Sequence, residues 1–288
     1  MKKLVDILTW VGLLGGIALL LGFAEKKKDL QETSSLEIHI EQADESGFIT
    51  EKDVQNLFTN QGYATTGHLM NDIDIQHLEQ LLRNKSSVET AEVFTSIDGK
   101  IVVNITERTP IIRIYNDQNE SFYLDQYGSL MPLSHQFAAR VLIANGSINI
   151  PFSTVNRLED LENDLSRIFR QSNTTAVQNT SLIAQLEVQK EELPGATQLK
   201  ELFDLALYIH QNPFWKAQIS QVYVNDNGEF ELQPRVGNHS ILLGKANRLE
   251  EKFDKLLLFY QQGLSKTGWN EYSTLNLKYK NQVVCTKR

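Results

Sequence analysis

The chain has 288 residues, of which 41% are hydrophobic and 22% are charged, as is usual for folded globular domains. This length suits two modest domains, and the formal net charge of −8 argues against nucleic-acid binding as a main activity. The single cysteine, Cys285, excludes an intramolecular disulfide and a cysteine-based metal cluster built from this chain alone.

The N-terminal residues 7–24 form an apolar run that no charged residue interrupts, and Lys2 and Lys3 precede it. The run is at the short end for a membrane-spanning helix of roughly 20 residues. Gly22 and Ala24 also resemble the small residues that precede a signal-peptidase site. Two alternatives therefore stay open, an uncleaved signal anchor and a cleaved signal peptide. With either one, the bulk of the chain lies outside the cytoplasm.

The next region predicts a small α+β domain at residues 35–108. Alternation of apolar and polar residues indicates a strand at residues 36–40. The segment "TEKDVQNLFTNQGY" predicts a helix capped by Thr50, and "IQHLEQLLRN" predicts a second helix capped by Asp74. The segment "VETAEVFTSIDGKIVVNITER" then predicts two strands around a turn at Asp98. The expected order is βααββ, a small sheet with two helices on one face.

From residue 109 onward, short strands bounded by turn residues predict a β-rich domain of antiparallel sheet with flanking helices. Helical spacing of apolar residues occurs in residues 153–169, in "TQLKELFDLALYIHQN" and in "NRLEEKFDKLLLFYQQG", which we expect to end at Gly263. The final segment "YSTLNLKYKNQVVCTKR", with Leu275, Leu277 and Tyr279 in alternation, indicates a closing strand. The predicted fold class of both domains is therefore α+β.

The stretch "FYLDQYGSLMPLS" allows two interpretations, a loop that carries a catalytic carboxylate or the bend of a hairpin. Apolar runs on both sides of the bend favour the hairpin. Asp125 is then expected to hydrogen-bond the amides of the turn, and Gly128 to relax the bend.

Motifs that carry chemistry are absent from the sequence. Residues 42–53 partly match a calcium-binding loop, but Gln42 and Asp53 replace its first aspartate and its bidentate glutamate. The six histidines lack metal-ligand spacing, and there is no nucleophile elbow and no phosphate-binding loop. The acidic run at residues 157–164 is interpreted as the solvated face of a helix. We therefore predict no catalytic residue, no cofactor, no metal and no small-molecule substrate.

With these elements placed, the chain resembles the FtsQ/DivIB family of bacterial cell-division proteins over nearly its whole length. The resemblance rests on Glu107, Arg108 and Pro110 at the domain junction, on the Asp-x-x-Gly bend that follows, and on the order of the later strands and helix. Two departures stand out. The segment 148–197 is longer than usual, and Gln282 stands where family members often carry glycine.

The resemblance implies a domain organisation, which is a cytoplasmic tail at 1–6, a transmembrane anchor at 7–24, a linker at 25–34, a POTRA domain at 35–108 and a β domain at 109–288. It also implies a non-enzymatic scaffold of the divisome in the cytoplasmic membrane, with the N-terminus in the cytoplasm and the C-terminal domains in the periplasm. Such a scaffold recruits and regulates the septal cell-wall synthesis machinery through partners such as FtsB and FtsL, and it binds no nucleic acid.

The closing strand is the predicted partner-binding edge, because an unpaired strand can pair with an extended segment of another protein. The predicted contact residues are Leu275, Asn276, Leu277, Lys278, Tyr279, Lys280, Val283 and Val284. For Leu275 and Leu277, inward packing against the helix at 247–262 is an open alternative. Two rival functions remain, a POTRA-containing assembly or transport factor and a secreted carboxylate-dependent hydrolase.

Overall fold

The structure, a computed structural model, describes residues 10, 12–16, 33–42, 47–63, 72–134, 137–150, 152 and 194–288. The chain forms two compact units, which divide after residue 108. Residues 12–16 are helical, yet no helix in the described part of the chain is both long and apolar enough to cross a membrane. The predicted tail at 1–6, most of the predicted anchor and the predicted helix at 153–169 lie outside the described residues.

The first unit has the predicted βααββ order. Its elements are β1 (Ser35–Glu41), α1 (Glu51–Asn60), α2 (Ile75–Arg83), β2 (Val88–Thr95) and β3 (Lys100–Glu107). The three strands form a sheet in the order β1-β3-β2, in which β1 is parallel and β2 antiparallel to β3. Thr50 and Asp53 form a capping box at the start of α1, and Asp74 accepts a hydrogen bond from the backbone N–H of His77 at the start of α2. These caps set where both helices begin.

One apolar layer holds the first unit together. Val54 and Phe58 of α1 and Leu78 of α2 are fully or almost fully buried against the sheet. On β3 every second residue points into this layer, as the period of a strand requires, so that Val103 and Ile105 are buried. Each buried side chain of this size contributes about 1.5–3 kcal/mol to the free energy of unfolding.

The second unit is a larger sheet with helices. Its elements are β4 (Pro110–Tyr115), β5 (Ser121–Asp125), β6 (Leu130–Met131), β7 (Leu142–Gly146), α3 (Pro194–Gln211), α4 (Pro213–Gln218), β8 (Ile219–Val224), β9 (Phe230–Pro234), β10 (Ser240–Gly244), α5 (Leu249–Phe259), a π-helical turn (Tyr260–Leu264), α6 (Ser265–Thr267), β11 (Tyr272–Asn276) and β12 (Val284–Lys287). The nine strands follow the order β12-β11-β10-β9-β8-β7-β4-β5-β6.

The prediction of an antiparallel sheet is wrong, because the sheet is mixed. The strand pairs β4/β7, β7/β8 and β10/β11 are parallel, and the other pairs are antiparallel. Parallel neighbours need a long crossover connection, usually through a helix. Here α3 and α4 lie in the connection between β7 and β8, and α5 lies in the connection between β10 and β11. Helices in the connections thus account for two of the three parallel pairs, while β4 connects to β7 through β5 and β6.

The prediction that the helix after β10 ends at Gly263 is also wrong. Helical backbone continues through the π-helical turn and α6 and stops at Gly268, whose φ of 97° lies in the left-handed region. Gly263 instead provides room for a neighbour, because a Cβ atom there would lie 2.8 Å from the ring of Phe259. The core under this helix is aromatic, with the rings of Trp215 and Phe253 4.9 Å apart in an edge-on contact.

Candidate partner-binding edge

The strand predicted to be the partner-binding edge is an internal strand of the sheet. β11 pairs with β10 on one side and with β12 on the other. Beyond its end, the backbone N–H of Leu277 still donates to the carbonyl of Leu242 in β10 at 3.0 Å. The main-chain groups of β11 are therefore occupied within the chain, and a partner strand cannot pair with them.

The eight predicted contact residues lie in three different environments. Leu275 and Leu277 are 0% exposed and belong to the core, so the inward-packing alternative holds for both. Asn276 ends β11, and residues 277–283 form a turn that carries Lys278, Tyr279, Lys280 and Val283. Val284 alone of the eight lies on the outermost strand, β12. The structure does not bring the eight residues together on one edge.

Contacts within the chain hold the turn at residues 277–283. The ammonium group of Lys278 lies 2.6 Å from a carboxylate oxygen of Glu229, and this hydrogen bond lowers the pKa of Glu229. The ammonium group of Lys255 donates to the carbonyl of Tyr279 at 2.7 Å. Asn281 adopts a left-handed backbone with φ of 59°, which suits an asparagine in a tight turn. The side chains of Tyr279 and Lys280 remain exposed.

β12 is the free edge of the sheet at this end, because no strand of the described residues pairs with its outer side. The backbone N–H of Arg288 donates to the carbonyl of Glu271, next to β11, at 3.1 Å. Since backbone groups alternate in direction along a strand, those of Val284 and Thr286 also face β11. The backbone groups of Cys285 and Lys287 therefore point outward. They form an unpaired ladder that can receive another strand.

The side chains near this edge combine apolar surface with positive charge. Val284 is 42% exposed and Tyr279 is 51% exposed. Cys285 packs partly against the core, and burial raises the pKa of its thiol, so this cysteine is a packing residue rather than a reactive thiolate. Lys287 is exposed and lies 3.5 Å from a carboxylate oxygen of Glu271. Such a surface suits an extended segment with apolar residues at alternate positions.

The backbone groups of Cys285 and Lys287 that point outward were not predicted from the sequence. The last seventeen residues were predicted to form one closing strand, whereas they form two strands around a turn. The available signal was the polar segment "KNQ", residues 280–282, between the apolar-alternating "STLNL" and the β-branched "VVCT". A turn-forming asparagine between two such runs is typical of a hairpin.

The hairpin at the opposite end of the sheet consists of β5 and β6. The carboxylate oxygen Oδ1 of Asp125 accepts hydrogen bonds from the backbone N–H groups of Tyr127 at 2.9 Å and Ser129 at 2.6 Å. Gly128 has a φ of 79°, in the left-handed region that glycine adopts without strain. Asp125 is fully buried and its carboxylate binds the turn, so the geometry assigns it a structural role.

Glu107 has a role that the sequence did not reveal. It is buried at the end of β3, and its Oε1 accepts hydrogen bonds from the backbone N–H groups of Phe48 and Ile49. This residue belongs to the Glu-Arg pair that marks the domain junction in the sequence. Glu107 therefore makes a contact inside the first unit, and it also stands at the domain boundary.

Metal binding has no support in the described residues, which contain no cluster of three or more histidine, cysteine, aspartate or glutamate side chains able to hold an ion. In the partial calcium-loop match, Thr50 and Asp53 hydrogen-bond each other in the capping box of α1. Their side-chain oxygens therefore form the hydrogen bonds that cap the start of α1. Residues 43–46 of that match lie outside the described part of the chain.

Comparison with protein families agrees with this architecture. A family model described as "FtsQ/DivIB, C-terminal related" matches residues 109–286, and a model of a POTRA-like domain matches residues 31–106. No curated protein sequence shows significant similarity to the chain. The fold and the matches define a two-domain protein in which a POTRA-like domain precedes a sheet-rich domain. The chain belongs to the FtsQ/DivIB family, as the sequence motifs predicted, and it is a cell-division protein.

Proposed function

We propose that this division protein is a non-enzymatic scaffold of the divisome. Residues 7–24 anchor it in the cytoplasmic membrane, with the N-terminus in the cytoplasm and the POTRA-like and sheet-rich domains in the periplasm. It recruits and regulates the septal cell-wall synthesis machinery by binding small division proteins of the FtsB and FtsL type. The family membership and the apolar N-terminal run support this arrangement.

The observation that carries the proposal is the outer side of β12, with which no strand in the described part of the chain pairs. An extended segment of a partner adds to this side as a further strand, through main-chain hydrogen bonds with Cys285 and Lys287. Val284 and Tyr279 supply exposed apolar contacts near the added strand. This mode of binding needs an open edge and a few side-chain contacts, and no catalytic group.

The buried carboxylates support a scaffold rather than a hydrolase. Glu107 and Asp125 are the buried carboxylates in the described part of the chain, and each accepts hydrogen bonds from backbone N–H groups of its own domain. A general acid or base must reach a substrate proton. Both carboxylates are instead buried and bind backbone N–H groups of their own domain.

Depletion of the protein from growing cells tests the proposal. We expect filamentous cells with unfinished septa, because the synthesis machinery is no longer recruited, and we expect a plasmid copy of the wild-type chain to restore division. Normal septation after verified depletion contradicts the scaffold role. Envelope assembly defects without filamentation support the rival role as an assembly or transport factor instead.

A further inference from the structure

A small cavity in the sheet-rich domain combines an apolar floor with a cationic rim. Its volume is about 30 Å³, and it opens where the N-terminal ends of β7 and β8 meet α3 and α4. The buried side chains of Ala206, Ile209 and Ile219 line its floor. About 10–15 Å³ is enough to hold one water-sized group, so this cavity has room for a polar atom of a ligand. A larger ligand therefore lies partly in the cavity and partly at the rim.

Three cationic side chains at the rim come from separate segments of the chain. Arg140 precedes β7, Lys216 lies in α4, and Arg235 follows β9. Backbone pairing brings these segments together. The N–H of Arg235 donates to the carbonyl of Gln218, the last residue of α4, at 2.7 Å, and β7 runs parallel to β8, which follows α4 directly.

Among the described residues that line the cavity there is no aspartate or glutamate beside these three cations. Within the described residues none of the three forms an ion pair, whereas other lysines of the domain do. Lys255 pairs with Glu251, and Lys278 pairs with Glu229. Like charges that converge on one small cavity repel each other, and a bound anion offsets this repulsion. Because the whole chain carries a net charge of −8, the cluster does not follow from a generally basic surface.

The geometry points to a binding site for a phosphate group, formed by Arg140, Lys216 and Arg235 over the apolar cavity. A phosphate group carries up to two negative charges and several acceptor oxygens, so it can satisfy three converging cations at once. The planar guanidinium groups of the two arginines suit bidentate contacts with phosphate oxygens, and the lysine adds a point charge.

Two sources can supply this chemistry, free phosphate or the phosphodiester of a lipid headgroup. The test uses the purified full chain in an uncharged detergent at low salt. Inorganic phosphate and the soluble phosphodiester glycerophosphoglycerol are titrated separately, and binding is measured by calorimetry. The variants are Arg140→Gln, Lys216→Gln and Arg235→Gln. Lys266→Gln is the matched control, because Lys266 is an exposed cation in α6 outside the cavity lining.

We expect each rim substitution to weaken binding about tenfold, because each removes a charge-assisted hydrogen bond to the phosphate. The control variant should bind as the wild type does. Charge-retaining Arg235→Lys should lose less affinity than Arg235→Gln, which distinguishes a local site from a change in fold. Circular dichroism checks that every variant is folded, as expected for substitutions of exposed side chains.

The outcomes distinguish free phosphate from a lipid headgroup as the source, and a specific site from diffuse charge attraction. Binding of inorganic phosphate that the rim variants lose supports the site with free phosphate as its source. Binding of glycerophosphoglycerol alone, lost in the same variants, supports a headgroup source. The proposal is overturned if the wild type binds neither probe. It is also overturned if Lys266→Gln weakens binding as much as the rim variants do, because that result indicates diffuse charge attraction only.

Discussion

The carboxylate of Glu107 accepts a hydrogen bond from the backbone N–H of Ile49 at 3.0 Å, across 58 residues of sequence. The same oxygen, Oε1, also accepts from the N–H of Phe48. Glu107 is only 2% exposed, so these bonds lie away from water. They tie the end of β3 to the segment that leads into α1. An acidic residue at this position thus stabilises the first unit by holding residues 48 and 49, which belong to neither a strand nor a helix.

Replacement of Glu107 tests this role. Glu107→Ala removes the acceptor of the buried N–H of Ile49 and of the partly buried N–H of Phe48, and we expect a loss of about 2–5 kcal/mol in the free energy of unfolding of the first unit. Glu107→Gln keeps an acceptor oxygen and should cost less. Amide hydrogen exchange of Phe48 and Ile49 measures the effect locally. Glu92→Ala, at an exposed position of β2, is the matched control, and equal protection in Glu107→Ala and this control would refute the role.

Asp125 should matter for stability and for no chemistry. Asp125→Ala removes the acceptor for the N–H groups of Tyr127 and Ser129, and we expect a loss of about 2–4 kcal/mol in urea unfolding. Asp125→Asn retains one acceptor oxygen and should lose about half as much. A folded Asp125→Ala protein of wild-type stability that fails to support division would show that the carboxylate has a direct functional role.

Leu277 and Lys280 are close in sequence, yet alanine substitution should lower the stability of the protein at Leu277 and leave it unchanged at Lys280. Leu277 is fully buried, so Leu277→Ala should lower the free energy of unfolding by about 2–5 kcal/mol through lost burial and a cavity. Lys280 is exposed, and Lys280→Ala should leave stability unchanged within about 0.5 kcal/mol. Thermal unfolding of both variants measures the difference. Comparable stability of the two would mean that Leu277 is not a core residue.

Lys252 is a buried lysine that holds the segment before α5. Its ammonium group donates to the carbonyl of Lys245 at 2.7 Å and to the side-chain oxygen of Asn247 at 3.0 Å. Burial, assisted by the positive charge of Arg248, lowers the pKa of Lys252 to about 8. In the unfolded chain the pKa is about 10.4. Between these values the unfolded chain binds more protons than the folded chain, so the free energy of unfolding rises with pH.

Comparison of the wild type with Lys252→Met isolates this titration. The stability difference between the two proteins should shift in favour of the wild type as the pH rises from about 8 to about 9.5. Urea unfolding across this range measures it. Measurements stop below pH 10, because the raised pKa of the buried Tyr260 makes stability fall at higher pH. A stability difference that stays constant across this pH range would show that Lys252 has the same pKa in the folded and unfolded states.

Local patterns account for much of what the sequence predicted. The βααββ order follows from strand alternation and from capping residues such as Thr50 and Asp74, which act within a few residues of their helix. The bend at Asp125 and Gly128 is likewise a local turn. These features depend on neighbouring residues, so a single sequence contains the information for them.

Non-local features could not be predicted in the same way. Whether β11 pairs with β10 in parallel depends on the crossover through α5, and the strand pattern is the same for either direction. The edge position of β12 depends on the turn around Asn281, which lacks the usual glycine and adopts a left-handed backbone. The convergence of Arg140, Lys216 and Arg235 depends on the register of several strands, and no spacing in the sequence indicates it.

The most direct test of the scaffold account is co-purification of a Lys287→Pro variant with the FtsB-type and FtsL-type partners. Proline removes the outward N–H of Lys287 and tolerates the extended backbone of an edge strand, so pairing of β12 with β11 should survive. Lys287→Ala is the matched control, because it removes the ion pair with Glu271 and keeps the N–H. We predict that Lys287→Pro recovers at least about tenfold less partner than Lys287→Ala, at equal thermal stability. Equal recovery of the partners by the two folded variants would contradict binding at the outer edge of β12.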